Sequence, residues 1–333
     1  MTVNFDKSIF RDPHTHARLR HQGDALVNGS VRYPIVRGIP RFVPSENYAA
    51  DFGEQWNRFP KTQLDSYSGL SITEERLARC FHGELDQLAG KVVLEAGSGA
   101  GRFSEVLLKH GAMLHSFDYS SAVEANALNN GDNDRLTLAQ GDIRAIPFAP
   151  EYYDYVVCLG VIQHTPSPEA SIASLWKMVK PGGRLIIDHY RSGIRFRLPT
   201  PIGDAGSLYR WFVLKMAPER RWPFVKRVTD FWFPVHWRFR DSLLMQRVIR
   251  RLSPLRFYYP DIPLKGREMH YEWSLLDTHD STTDYFKHLR SAEAIRSCLE
   301  GLGASDIRVS KGGNGVEAYA VKPVSPHAAE AIS

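Results

Sequence analysis

Between residues 90 and 190, short apolar runs alternate with amphipathic ones. KVVLEA, AMLHSFD, RLTLAQGD, YDYVVCLG and GRLIIDH read as strands. RFSEVLLKHG, AVEANALNN and PEASIASLWKMVK between them carry helical periodicity. Strand and helix in alternation predict a doubly wound α/β core: a parallel sheet with helices on both faces. The flanks differ. Residues 1–45 are short, turn-rich and mildly basic. Residues 46–89 read as a helical lead-in with aromatics at Phe52, Trp56 and Phe59. Residues 191–262 break the alternation and form a basic, aromatic insertion. Residues 263–323 return to the core pattern, with a helix at AEAIRSCLEGLG and strands at DIRVS and VEAYAVK around KGGNG. Residues 324–333 are expected to form a disordered tail.

The length of 333 residues suits two domains, or one domain with a large insertion. No apolar run approaches the roughly 18 residues of a membrane span. The opening MTVNFDKSIFRDPHTH has early acids and no long apolar stretch, so no secretory signal is expected. Cys80, Cys158 and Cys298 are odd in number and far apart, which gives no disulfide framework and points to a reducing cytoplasm. Charge is uneven. Residues 191–256 hold 15 Lys and Arg against Asp204, Glu219, Asp230 and Asp241, a net +11. The other 27 basic and 33 acidic residues leave the rest of the chain at −6.

VVLEAGSGAGRF, residues 92–103, joins a strand to a helix through three glycines. Gly97 and Gly99 let a ligand approach bare backbone. Glu95, at the end of the strand, argues against phosphate and for a cation or ammonium. The dinucleotide fingerprint G-x-G-x-x-G is not met, because its last position holds Arg102. Gly101 serves either the ligand or close helix packing. The second strand ends in Asp118, placed to accept hydrogen bonds from a ribose diol. The third ends in Asp142 and Ile143, which suit an adenine's amino group and ring face, although Asp142 could instead cap a turn. An amino-acid head, a ribose and an adenine together describe S-adenosylmethionine.

In order and spacing, ExGxGxG, Asp118, GDIRAIPF, YDYVVCLGVIQHTPSP and MVKPGGRLIID resemble the motifs of class I S-adenosylmethionine-dependent methyltransferases over about residues 85–190. LGASDIRV and GVEAYAVKP resemble that family's closing antiparallel strand pair. The resemblance implies a Rossmann-like, mostly parallel seven-stranded sheet, with strand order 3-2-1-4-5-7-6. It places cofactor contacts on Glu95, Gly97, Gly99, Asp118, Asp142, Ile143 and Leu159. YPIVRGIPRFV resembles the end of a degenerate zinc-ribbon-like module, without the cysteines, and no metal is expected.

Transfer of a methyl group to oxygen profits from a general base. His164, in GVIQHT after the fourth strand, is one candidate, and a structural or cofactor-facing histidine is its plain alternative. His189 and Tyr190 either face the acceptor or anchor the insertion. LLDTHDSTTDY puts Asp277, His279 and Asp280 in one expected loop, where an Asp–His pair could activate an imidazole or simply be solvated. The [DNS]-P-P-[YFW] motif of exocyclic-amino methylation and a Pro-Cys nucleophile are both missing, so nucleic acid is disfavoured. The expected acceptor is a small molecule or a lipid-linked, glycolipid-like compound. The alternatives are an RNA methyltransferase and a catalytically silent S-adenosylmethionine-binding module. The insertion has three readings: a helical lid, a peripheral membrane contact through residues 191–256, or an RNA platform. A homodimer through the lid is also open.

Overall fold

Val93 and Leu94 show why the sheet sits in the middle of the molecule. Neighbouring strand residues point to opposite faces. Both are fully buried, each within a different apolar cluster. Such a strand needs cover on both sides. The structure is a computed structural model that describes residues 9–44, 47–192 and 205–324.

The core strands are β5 (Val92–Ala96), β6 (Met113–Asp118), β7 (Leu136–Gln140), β8 (Tyr153–Cys158), β9 (Val179–Tyr190), β10 (Ser305–Gly312) and β11 (Gly315–Val321). They line up as β7-β6-β5-β8-β9-β11-β10. β11 runs opposite to the other six strands. With β5 counted as the first strand, this is the order 3-2-1-4-5-7-6. One face is covered by α3 (Ile72–Cys80), α4 (Arg102–Lys109) and α5 (Val123–Asn130), through Leu77, Leu107 and Val123. The other is covered by α6 (Pro168–Met178) and α11 (Ala292–Gly301), through Leu175 and Leu299.

The N-terminal segment folds as a four-stranded antiparallel sheet, β1 (Arg20–Gln22), β2 (Ala25–Asn28), β3 (Val31–Val36) and β4 (Ile39–Pro40). It is tied to the core by Phe10 stacked on Phe148 and by the Phe42 amide donating to the Gln140 carbonyl at 2.8 Å. Among the described residues no cluster of three or more His, Cys, Asp or Glu could hold a metal ion. The lead-in is helical as expected, with α1 (Ala50–Arg58) and α2 (Asp65–Ser68) before α3.

The insertion supplies α7 (Ala205–Leu214), α8 (Pro218–Arg238) and α9 (Leu243–Ile249); residues 193–204 lie outside the described residues. Trp222, Trp232 and Trp237 pack into two small apolar clusters within this layer. The loop expected at Asp277 and His279 is instead part of α10 (Gly266–Thr283), which packs on α1, α7 and α8. Its Thr and Asp content masks the helix, because these are weak helix formers. Burial of Trp273, Leu275 and Leu276 overrides that preference. The tail expected from residue 324 falls, past Val324, outside the described residues.

Candidate cofactor and acceptor site

β5 ends at Ala96, and the chain turns through Gly97 at a φ of +82°, which an L side chain rarely adopts. A Cβ on Gly97 would stand 2.2 Å from Val161 Cγ2. The third glycine has a different role. A Cβ on Gly101 would meet the Asn126 side chain at 2.2 Å, so this residue serves the packing of α4 on α5. Asp118, at the end of β6, fixes the loop. Its Oδ2 accepts from the Gly99 amide at 2.9 Å, and its Oδ1 accepts from the Ser120 amide at 2.8 Å and hydroxyl at 2.7 Å. Burial raises the Asp118 pKa, and these donors oppose the shift.

The cleft above this loop holds about 890 Å³ of space between atoms, part of it open to solvent. Gly97, Gly99, Asp118, Asp142, Ile143 and Leu159 all line it, at the carboxyl ends of β5 to β8. Tyr48, Phe52 and Trp56 of the lead-in line it as well, with the Trp56 indole 3.3 Å from the position of a Gly99 Cβ. Phe59 does not: it packs on Trp222. Glu95 lies beneath the loop and is not part of the lining. Its Oε2 accepts from the Ser104 and Ser116 hydroxyls, while the buried Oε1 has no partner among the described residues. Burial pushes its carboxyl up to about 7. Asp142 gives both oxygens to Arg144, one of them also closing a turn on the Arg144 amide at 2.8 Å.

His164 also lines the cleft. Its Nδ1 is 3.2 Å from the Phe286 carbonyl and 3.6 Å from Asp284 Oδ2. A carbonyl can only accept, so Nδ1 carries the proton and Nε2 keeps its lone pair. Burial lowers the pKa of the ring, with Asp284 opposing, and the imidazole is neutral near pH 7. Asp280 of α10 also lines the cleft, its carboxyl raised to about 6 by burial and by neighbouring Asp284. The other two expected catalytic residues sit elsewhere. Asp277 accepts from Gln63 Nε2 at 2.9 Å, and Gln63 in turn takes Arg102 at 2.5 Å. His279 turns Nδ1 to Gln55 Oε1 at 2.8 Å and lies tilted against Trp222, ring centroids 4.9 Å apart, outside the lining. His189 also lies outside it, with Nδ1 at 2.9 Å from the Tyr190 carbonyl.

A family model described as a methyltransferase domain matches residues 94–187, the stretch that holds the loop, Asp118 and His164. Residues 94–187 are a class I S-adenosylmethionine-dependent methyltransferase domain. Two ubiquinone biosynthesis O-methyltransferases resemble this domain in sequence. The Coxiella burnetii protein is 30% identical over 118 residues, 35% of this chain and 50% of that one. The Pseudomonas entomophila protein is 32% identical over 142 residues, 42% of this chain and 59% of that one. The chain thus spans about half the length of the curated relatives it matches. Magnesium protoporphyrin IX methyltransferase of Synechocystis aligns over 84% of this chain and 97% of its own, at 14% identity and a TM-score of 0.43.

The methyltransferase domain's cofactor, S-adenosylmethionine, fits the residues present. Gly97 and Gly99 offer bare backbone, Asp118 puts a carboxylate on the cleft wall, and Ile143 and Leu159 give an apolar wall. The sequence did not point to Tyr48, Val161 or Asp284. Asp284 is 120 residues from His164 in the chain, and no local motif announces that pairing.

Proposed function

We propose that this protein transfers the methyl group of S-adenosylmethionine, by in-line displacement, to a hydroxyl oxygen of a small-molecule or lipid-linked acceptor. The observation that carries the reading is His164: a neutral, cleft-lining imidazole whose Nδ1–H faces a carbonyl and Asp284. When bound, S-adenosylmethionine supplies an electrophilic methyl group. The chain supplies the rest. Asp118 and the glycine loop hold the cofactor's ribose and backbone contacts. Nε2 of His164 takes the acceptor's hydroxyl proton. Asp284 positions the ring and stabilises its charged form. The resemblance to enzymes named O-methyltransferases supports oxygen as the acceptor atom.

The test uses methyl-labelled S-adenosylmethionine with an extract of the source cell, separated into polar metabolites, lipids and RNA. Label should enter the polar or lipid fraction, and hydriodic acid should release it as methyl iodide. His164→Ala should slow transfer by roughly 10²–10⁴-fold, the range for loss of a general base. Its cofactor affinity should hardly change. Label confined to RNA, or resistant to hydriodic acid, would contradict the proposal.

A further inference from the structure

The helical layer that follows β9 carries a surface the cleft does not use. α8 buries Val225, Thr229, Phe233 and His236 on its inner face. Arg220, Arg227, Phe231 and Arg238 recur at helical spacing on the opposite face, and all four are exposed. Among the described residues the three arginines have no ion pair. Of the acids nearby, Asp230 takes Lys226 and Tyr271 and Asp241 takes Tyr259, while Glu219 is exposed in the first turn of α8.

The flanking helices add apolar groups. α7 exposes Leu208, Trp211 and Phe212, one turn of a single face. At α9, Leu243 is 75% and Leu244 70% exposed, with Val248 and Leu252 continuing the face. Eight of the 16 large hydrophobic side chains exposed among the described residues therefore fall within residues 208–252. That concentration is more than scattered surface apolarity, and it coincides with the most basic part of the chain.

We infer that the outward faces of α7, α8 and α9 dock on the surface of an anionic lipid bilayer. Basic side chains would meet the headgroups, and the leucines and aromatics would enter the boundary beneath them. Charge decides against a second copy of this chain, since two such faces would bring unpaired arginines together. The aliphatic character of Leu243, Leu244, Val248 and Leu252 decides against RNA, which rewards aromatic stacking instead. Among the described residues no helix is long and apolar enough to cross a membrane, so contact is interfacial. The layer also adjoins the cleft. α7 sends Arg210 to Asp284, and α10, packed on α7 and α8, carries Asp280.

The test is co-sedimentation of the full chain with vesicles of phosphatidylcholine alone or with 30% phosphatidylglycerol. The chain should sediment with the anionic vesicles and be released by high salt. Arg220→Glu, Arg227→Glu and Arg238→Glu together should weaken partitioning by roughly 10²-fold. Leu243→Ser with Leu244→Ser should weaken it in a salt-independent way. Retained S-adenosylmethionine binding by the variants shows that they fold and separates this claim from the catalytic one. Three outcomes would overturn it: no anionic preference, indifference to the arginine changes, or a stable dimer dispersed by the leucine changes.

Discussion

In the proposed reaction, His164 is the residue on which the chemistry turns. A base works only when unprotonated, and burial lowers this ring's pKa below the ordinary histidine value. The proposed transfer should therefore be complete at neutral pH and be lost as pH falls through that lowered value. The acid limb of kcat/KM should lie below pH ~6.5; a limb above 7 would assign the role elsewhere. His279 should act on stability instead. Burial drives it down to about 3, with Arg58 and Arg221 adding to the shift, so the folded chain refuses a proton that the unfolded chain accepts near pH ~6.5. Stability from a neutral His279 is lost as pH falls across that window. Between pH 7 and 5, wild type should lose about 2 kcal/mol relative to His279→Gln in urea unfolding. Gly97→Ala is a third residue-scale case. Its Cβ meets Val161 at a positive φ, so the variant should lose roughly 1–3 kcal/mol of stability and most cofactor affinity.

At the scale of elements, the sequence was most readable where period and burial agree. All five parallel strands fall where their apolar runs lie, because a strand buried on both faces must be apolar along its length. Most of the cleft-lining residues at strand ends were legible for a related reason. They follow strand ends, so their place in the fold is set by their place in the chain. α10 escaped notice because Thr and Asp crowd its second half and only tertiary packing holds it helical. Aromatics of the lead-in were seen, but their division between cleft (Trp56) and lid (Phe59) depends on a helix orientation that no local pattern encodes. One tie between elements merits its own test. Arg76 of α3 pairs with fully buried Asp188 of β9, whose other oxygen accepts the Gly160 amide. Asp188→Ala leaves a largely buried guanidinium and an amide without partners. It should destabilise the fold by about 3–5 kcal/mol, as measured by urea unfolding.

Over the whole molecule, charge and architecture divide the work. The parallel core is covered on both faces, and its carboxyl edge opens into the cleft. Asp118 links these levels, because one carboxylate ends β6, fixes the Gly99 amide and faces the space where the cofactor fits. The most direct measurement is a calorimetric titration of S-adenosylmethionine into the full-length wild type and Asp118→Ala. It needs no knowledge of the acceptor. Wild type should bind one equivalent. The variant gives up hydrogen bonds to a charged group, worth about 1.5–3 kcal/mol each, and should bind roughly 10²-fold more weakly. Equal binding by both proteins, or none by folded wild type, would contradict the placement of the cofactor in this cleft.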